Sequence, residues 1–247
     1  MKTLSHILTI ALLSSLAGSC YIDNIETVSG NGKVAKEERS VTDFSSLKVA
    51  TGIDVIITQS DKIGITVEAD ENLMDWIKTE VVNNELKIYS DKNIRSAEEK
   101  KVYVNFKKLN EIDISSAGDV SSGNTLVTDE MDIEMSSAGN LTLAVEADRV
   151  EIDISSAGNA RLSGKANFFK ADLSSAGDLN AFELEAKVGE ISVSSAGNAR
   201  VFITEEASFK SSSAGDIDYK GEPRLKNIST SSADSFSQII GKYCDPQ

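Results

Sequence analysis

Histidine, cysteine and proline are almost missing from this sequence. Its 247 residues include one histidine, two cysteines and two prolines, and the single histidine is His6, near the N-terminus. Catalytic sites of the Ser-His-Asp and Cys-His kinds need an imidazole that takes up the proton of the nucleophile. The rest of the chain cannot supply one, so both classes of catalysis are excluded.

Basic residues are also few. The chain has 25 lysines and arginines against 39 aspartates and glutamates, which gives a net charge of −14. A nucleic-acid-binding protein needs clustered cations that displace the counterions around the phosphates, so this balance argues against a nucleic-acid partner. Hydrophobic residues make up 40% of the chain, which is enough to form a buried core.

The N-terminus has the features of an export signal. Lys2 provides a positive charge, residues 4–16 are apolar or carry hydroxyl groups except for His6, and small residues lead to Cys20. An apolar run of about a dozen residues is too short to span a bilayer, so residues 1–19 are predicted to be a signal peptide. The ending Leu-Ala-Gly-Ser-Cys resembles a bacterial lipobox, whose cysteine is lipidated. An ordinary signal peptide with a chance cysteine is the alternative.

Lipidation of Cys20 would attach the chain to a membrane without crossing it. Residues 20–33, which include Ser-Gly-Asn-Gly, are predicted to be a flexible tether in an extracytoplasmic protein. Cys244 is then the remaining thiol, which excludes an internal disulfide and a cysteine metal cluster. It is either a tolerated thiol or the link of a disulfide-bonded dimer.

A pentapeptide repeat dominates the rest of the sequence. Ser-Ser-Ala-Gly followed by Asp or Asn occurs six times, and a degenerate copy, Ser-Ser-Ala-Asp, begins at Ser231. The six copies begin at Ser115, Ser136, Ser155, Ser174, Ser194 and Ser212, which are 18 to 21 residues apart. A period of this length indicates stacked structural repeats.

Apolar and polar residues alternate before each copy. Residues 112–114 and 152–154 both read Ile-Asp-Ile, and the same positions of the other copies are mostly similar. This period of two favours strands over a helix–turn–helix repeat, and Ser-Ser-Ala-Gly-Asn is typical of turns. The sequence predicts an all-β parallel β-helix over residues 111–235, with coils of ~19 residues that each contain two short strands and two turns. Seven coils stacked about 4.8 Å apart would form a rod roughly 30 Å long.

The N-terminal third is less regular. Residues 34–110 contain alternating runs, such as 53–57 and 102–106, which predict larger, irregular coils that cap and begin the same solenoid. Residues 34–247 are therefore predicted to form a single β-helix domain. One short helix is predicted at residues 70–78, because Asp70 stands at its start and its apolar residues share one face.

Several short motifs, in their order along the chain, resemble one known family. They are Thr51–Val55, Val67–Leu73, Leu86–Ile88, the Ser-Ser-Ala-Gly-Asp copies and Tyr219–Pro223. Over about residues 34–235 the sequence resembles the family called putative auto-transporter adhesin, head GIN domain, although Asp54 replaces the asparagine of the Gly-Ile-Asn motif. The resemblance implies a right-handed parallel β-helix in an outer-membrane lipoprotein of Bacteroidetes-like bacteria, facing the periplasm or the cell surface. It implies no catalytic residues.

Acidic residues form two columns on the outward face of adjacent coils. The first column is Glu111, Asp132 and Glu151, and the second is Asp113, Glu134 and Asp153. Like charges opposite each other on neighbouring strands are destabilising. Bound Ca²⁺ would relieve the repulsion, because it takes several carboxylate and carbonyl oxygens as ligands. A solvated face that salt screens and that discourages aggregation is the other interpretation, in which no cofactor binds.

The last residue of each repeat forms a further column. It consists of Asp119, Asn140, Asn159, Asp178, Asn198 and Asp216. Neutral asparagines between the aspartates limit repulsion while the side chains still bond to the backbone, so this ladder is predicted to be structural. The paired serines have no histidine or activating lysine nearby, and we interpret them as turn residues rather than nucleophiles.

Three functions are compatible with these observations. The main hypothesis is an adhesin-like protein that binds a protein or a glycan along its side without catalysis. A carbohydrate-active enzyme is the alternative, because a pair of carboxylates suffices for glycoside hydrolysis, and a purely structural envelope protein is the third. The carboxylates repeat uniformly, whereas active sites usually interrupt a pattern, and Lys170, Arg200 and Lys210 are too scattered to indicate a site. A concave groove lined by arginine, tyrosine or tryptophan would favour the enzyme, and a smooth rod with exposed flat patches would favour the adhesin-like protein.

Overall fold

The fold is built almost entirely from β-strands. The computed structural model describes residues 26–115, 117–230 and 235–239. In the N-terminal third the strands are β1 (Thr27–Ser29), β2 (Val34–Arg39), β3 (Ser46–Val49), β4 (Asp54–Gln59), β5 (Gly64–Asp70), β6 (Ile77–Val82), β7 (Glu85–Ser90), β8 (Asn93–Ser96) and β9 (Lys100–Phe106). The strands that follow are β10 (Glu111–Ile114), β11 (Asp119–Ser122), β12 (Leu126–Met135), β13 (Asn140–Ile154), β14 (Asn159–Ser174), β15 (Asp178–Ser194), β16 (Asn198–Ser212), β17 (Asp216–Lys220), β18 (Arg224–Thr230) and β19 (Ser235–Gln238).

The C-terminal two-thirds form a parallel β-solenoid. Strands β12 to β16 pair with one another in parallel, and each is one coil further along the axis. The register places equivalent residues of the repeat opposite each other, as in the pairs Ile133 with Ile152 and Ile152 with Ala171. The stack has about six turns. The predicted β-helix is thus confirmed, and the degenerate seventh copy at Ser231 lies outside the described residues.

The strands within each coil are longer than the sequence predicts. Two short strands per coil were expected, but β13 to β16 run almost unbroken from one Ser-Ser turn to the next. Ala147, Ala166 and Ala186 stack in register midway along these strands. Parallel pairing continues through these small residues, so the second turn that was expected in each coil does not interrupt the strand.

The core lies inside the stack. Alternate residues of the stacked strands β10 to β16 point inward, and Ile112, Ile133 and Ile152 are at most 1% exposed. Burial of an isoleucine side chain stabilises the fold by roughly 1.5–3 kcal/mol, and this contribution recurs in every coil. Phe209 belongs to the same inward column in a later coil, and Phe169 lies in the neighbouring inward column beside Val150.

The glycine of the repeat is required by close packing between coils. A Cβ atom on Gly177 would lie 2.6 Å from Cγ2 of Ile154, and one on Gly158 would lie 2.9 Å from the carbonyl oxygen of Ser137. The left-handed backbone conformation falls instead on residues before the glycine, such as Ser195 and Ala196, with φ of 61° and 65°. A glycine can serve in such a turn by adopting a left-handed conformation or by allowing close packing, and here the structure shows close packing.

The N-terminal third closes one end of the solenoid. Strands β3 and β4 pair in parallel with β10 and β11 on one side and with β7 and β9 on the other, so the parallel stack already begins in this third. Strand β5 is antiparallel to β2 and β9, and β6 is antiparallel to β7. These antiparallel pairs are the irregular coils that the sequence predicts, and they leave the first coils covered.

The helix predicted at residues 70–78 is shorter than expected. One turn of 3-10 helix covers Glu71–Leu73, and β6 begins at Ile77. The carboxylate of Asp70 does not cap this turn, because its oxygens accept hydrogen bonds from the backbone N–H groups of Gly32, Glu98 and Glu99. Pairing of β6 with β7 then takes the rest of the segment into the sheet.

Part of the predicted tether belongs to the folded body. Strand β1 pairs with β8, and the backbone N–H of Asn31 donates to Oδ1 of Asn72 over 3.0 Å. Asp70, which is completely buried, holds the loop at Gly32. Residues 26–33 are therefore ordered, because a buried carboxylate fixes their backbone. The predicted signal peptide and residues 20–25, including Cys20, lie outside the described ranges, as does Cys244.

Of the strands that the structure describes, β18 lies at the other end of the solenoid and pairs with one neighbour, β16. All seven residues of β18 are exposed, including Leu225 and Ile228. The pairing of β18 with β16 shifts register beside Lys226, and Arg224 and Lys226 both form ion pairs with Glu206. Charged residues and a bulge are two means by which proteins discourage strand addition at an edge. Among the described residues, no helix has the length and apolar character that crossing a membrane would require.

Candidate functional site

A concave groove of about 730 Å³ runs along one side of the solenoid. It lies on the strand segments that follow the Ser-Ser-Ala-Gly turns in β13 to β17. Two outward columns line it. The first contains the last residue of the repeat, namely Asn140, Asn159, Asp178, Asn198 and Asp216, and the second contains Thr142, Arg161, Asn180, Arg200 and Asp218.

The first column is a hydrogen-bonded ladder. Asn140 donates from Nδ2 to Oδ1 of Asp119 over 2.6 Å, and Asn159 donates in the same way to Asn140 over 3.0 Å. Asn198 donates to Oδ1 of Asp178 over 2.8 Å. The structure brings all six residues of the predicted turn ladder into one column. Each amide has two N–H groups, and the ladder uses one of them, so the side chains also present polar atoms to the groove.

The second column contains the two arginines of the groove. Arg200 lies 3.6 Å from Asp218 on the next coil, between Nε and Oδ2. Arg161 stands between Thr142 and Asn180, and its side chain forms neither an ion pair nor a hydrogen bond with any residue that the structure describes. Nothing in the sequence distinguishes Arg161, because it is one arginine in an outward column whose residues vary from coil to coil and form no motif.

A β-bulge interrupts the repeat next to the groove. Between Arg161 and Ser163, strand β14 faces one extra residue of β15, in the segment from Asn180 to Glu183. Bulges bend a strand and re-aim its side chains, and they are frequent beside functional sites. The partly exposed ring of Phe202 borders the same side, with Nζ of Lys220 at 4.4 Å from its centroid. The available sequence signal was the 20-residue spacing between Ser174 and Ser194, one more than in the two preceding coils.

The six acidic residues of the predicted calcium site form a flat stripe on another face. Glu111, Asp132 and Glu151 are paired in register, as are Asp113, Glu134 and Asp153. Burial and then the charge of Glu151 raise the pKa of Asp132. Burial and then the charge of Asp172 raise the pKa of Asp153. Like charges on neighbouring coils therefore repel each other along each column, as the sequence predicts.

Basic side chains relieve part of this repulsion. Lys48 bonds to Asp113, and this hydrogen bond raises the pKa of the lysine. Lys170 lies 3.4 Å from Glu151 and 3.1 Å from Asp172. Hydrogen bonds from Arg149 and then Lys170 lower the pKa of Glu151, although burial opposes them. Within the described ranges, no three histidine, cysteine or acidic residues converge in a way that could hold a metal ion.

The serines of the turns bond to the neighbouring coil. The hydroxyl of Ser137 donates to the carbonyl oxygen of Ser115, and that of Ser156 donates to the carbonyl oxygen of Ser136, over 3.0 and 2.8 Å. Ser175 does the same to Ser155 over 3.2 Å. These hydroxyls point along the stack, which is a structural arrangement rather than that of an activated nucleophile.

Comparisons with known proteins point to one family and one fold. Residues 43–223 match the family model described as putative auto-transporter adhesin, head GIN domain. A putative adhesin from Bacteroides fragilis is 25% identical with a TM-score of 0.78, and the alignment covers 86% of this chain and 100% of that one. None of the curated protein sequences matches the chain.

Two further solved structures share the fold. A putative lipid binding protein from Parabacteroides distasonis is 22% identical with a TM-score of 0.74, over 87% of this chain and 100% of that one. A putative adhesin from Parabacteroides merdae is 20% identical with a TM-score of 0.69, over the same shares of the two chains. At these identities the likeness concerns the fold.

Proposed function

The chain belongs to the putative auto-transporter adhesin, head GIN domain family, and on that basis we propose that it is an envelope-anchored binding protein. It recognises an extended ligand along the side of its solenoid and performs no catalysis. The Bacteroides fragilis protein described as a putative adhesin, which is similar over its whole length, supports a role of this class.

The observation that carries the proposal is the groove. Its two columns present amide, carboxylate, hydroxyl and guanidinium groups from five successive coils, and most of these side chains are exposed. Such groups form hydrogen bonds with a polar ligand and do not suit an acyl chain. The neighbour described as a putative lipid binding protein therefore shares the scaffold, whereas the polar groove of this chain favours a polar ligand.

The proposed anchor is a lipid on Cys20, which would hold the protein on the outer membrane. The described part of the chain begins beside β1, in the N-terminal third, and the groove occupies the coils from Asn140 to Asp218. A chain tethered at its N-terminus would thus present the groove on the part of the solenoid furthest along the chain from the membrane. Palmitate labelling that the Cys20→Ala variant loses is the expected result, and labelling of that variant would refute the anchor.

Attachment of whole cells tests the binding role. We expect cells that produce the protein to adhere to mucin-coated surfaces more than cells that lack it, and Thr142→Trp, which places a bulky ring in the groove, should remove the difference. Asn105→Trp, at an exposed strand position outside the groove, is the matched control. Protease treatment of intact cells should degrade the protein. Full protection from protease would contradict an adhesin.

A carbohydrate-active enzyme is the second candidate, because arginines and three aspartates line the groove. A glycosidase needs a carboxyl group with a raised pKa as its general acid. Asp132 and Asp153, whose pKa is raised, belong to the acidic stripe and not to the groove. Release of reducing ends from polysaccharides, lost in Asp218→Asn, would establish the enzyme in place of the binding protein.

A further inference from the structure

Arg161 differs from the other arginine of the groove in having no partner. Arg200 faces Asp218 across one coil step, whereas the register neighbours of Arg161 are the hydroxyl of Thr142 and the amide of Asn180. Arg161 is exposed to the groove, and no described residue offers it an ion pair or a hydrogen bond. A guanidinium has five N–H donors in a planar fork that matches a carboxylate.

The groups around Arg161 are amides and hydroxyls. Asn140, Asn159 and Thr142 are neutral and can both donate and accept hydrogen bonds, as sugar hydroxyls do. Asp178 lies on the next coil, opposite Asn159, and two further acidic residues, Asp216 and Asp218, line the groove at its other end. The groove therefore has one positive position in a neutral polar half and a carboxylate-rich second half.

From this arrangement we infer that the groove binds a linear glycan and that Arg161 receives the carboxylate of an acidic sugar. The inference rests on the proposed function and names its ligand class. Coils stacked about 4.8 Å apart repeat the same pair of polar columns, which suits a chain of similar units better than a compact molecule. The volume, about 730 Å³, falls in the usual range of small-ligand sites, so several sugar units fill it.

Other ligand classes fit less well. A polyanion such as nucleic acid meets one unpaired cation in the groove and a chain with a net charge of −14. A protein interface of high affinity has a buried apolar or aromatic centre. The apolar residues that line this groove are at most 4% exposed, and its accessible surface is mostly polar; they are Leu141, Ala160, Leu179 and Ala199.

Calorimetry with defined glycans tests the inference. The probes are oligogalacturonate, oligoglucuronate and sialic acid oligomers, each compared with a neutral galactose oligomer of the same length. The protein is the full mature chain, extracted with its anchor in detergent. We expect at least one acidic probe to bind more tightly than the neutral one, and added salt should weaken this preference because it screens the ion pair.

Arg161→Gln is the decisive variant. We expect it to lose about ten- to hundredfold in affinity for the acidic probe, the range of a hydrogen bond to a charged group, and to bind the neutral probe as before. Arg161→Lys keeps the charge and should retain part of the preference. Arg95→Gln, an exposed arginine on β8, removes the same charge outside the groove and should change nothing. Because Arg161 has no described partner, the variants should melt at the wild-type temperature.

Several outcomes would overturn the inference. They are a wild-type chain that binds none of the acidic probes, one that binds acidic and neutral probes equally, and an Arg161→Gln variant with unchanged affinity. If cells still adhere in a groove-dependent way under any of these outcomes, the proposed function survives and its ligand is not an acidic glycan. If adhesion also fails, the proposed function is wrong.

Discussion

Asn140 donates a hydrogen bond of 2.6 Å to the carboxylate of Asp119, although the two residues are 21 positions apart in the sequence. The same bond recurs between Asn159 and Asn140. A third bond of this kind joins Asn198 to Asp178, so at three steps of the stack a side chain at the end of the turn ties one coil to the previous one in register. This ladder is also one wall of the groove, so the proposed recognition would use residues that also stabilise the fold.

Asn159→Asp should destabilise the fold. The substitution removes the donor to Asn140 and places a carboxylate next to Asp178, so the free energy of unfolding should fall by about 1–2 kcal/mol at low salt and less at high salt. Urea unfolding at two ionic strengths measures this. Asn105→Asp, an exposed position with no side-chain hydrogen bond among the described residues, is the control. Equal losses in both variants would show that the ladder does not contribute.

Gly177→Ala should be costly and Gly64→Ala should not. The added methyl group at position 177 would lie 2.6 Å from Cγ2 of Ile154, whereas nothing lies within 4 Å of one at position 64. We expect a loss of about 1–3 kcal/mol for the first variant, the usual range for overpacking, and a change below about 0.5 kcal/mol for the second. Thermal melting compares them. Similar melting temperatures for the two variants would mean that the turns can move apart.

Asp70→Asn should loosen the N-terminal end. The buried carboxylate accepts three backbone N–H bonds, and an amide cannot accept all of them, so we expect a loss of about 2–3 kcal/mol. The exposed variant Asp75→Asn is the control. Amide exchange should become faster in β1 and at Gly32. Unchanged exchange there would show that the loop is held in another way.

The stability of the wild-type protein should depend on Asp70 in acid. Burial raises the pKa of Asp70, but the three backbone N–H groups outweigh it and leave the pKa below its ordinary value. The stability from Asp70 is therefore present above its unfolded pKa of about 3.9, and it is lost as the pH falls through the lower folded-state value. The difference between wild type and Asp70→Asn should accordingly shrink in that acidic window and stay constant near neutrality. A difference that is the same at all pH values would contradict this.

Calcium should raise the melting temperature no more than magnesium at equal concentration. Lys48, Arg149 and Lys170 already pair with acidic residues of the stripe. Screening by either divalent ion would then have the same modest effect. A larger rise with calcium, which Glu134→Gln removes, would show instead that the stripe is a calcium site.

The sequence predicts the solenoid well because the repeat determines the length of a coil, the choice of buried residues and the register between coils. The repeat length sets the coil, and the alternation of residues such as Ile152 and Asp153 sets which side chains are buried. Register follows, since a slip of one residue would expose the whole apolar column. The acidic columns and the turn ladder were found for the same reason.

The features that the sequence did not predict depend on contacts between distant segments. Lys48 is 65 residues from Asp113, and nothing near either residue indicates their pairing. The helix expected after Asp70 is replaced by one 3-10 turn because the carboxylate bonds to a loop and to the strand region near Glu99. The groove is formed by several successive coils, and the bulge beside it lies between two of them, so the sequence of a single repeat predicts neither feature.

Because the coils are in register, the length of the groove depends on the number of coils that line it. Deleting residues 155–173 would join one Ser-Ser turn to the next and leave both flanking coils with equivalent partners, since the residues on either side occupy the same positions of the repeat. Duplicating them would extend the groove by one step of about 4.8 Å. If the groove binds a linear ligand as proposed, the solenoid would act as a molecular ruler, whose number of coils sets how many units of the ligand it holds.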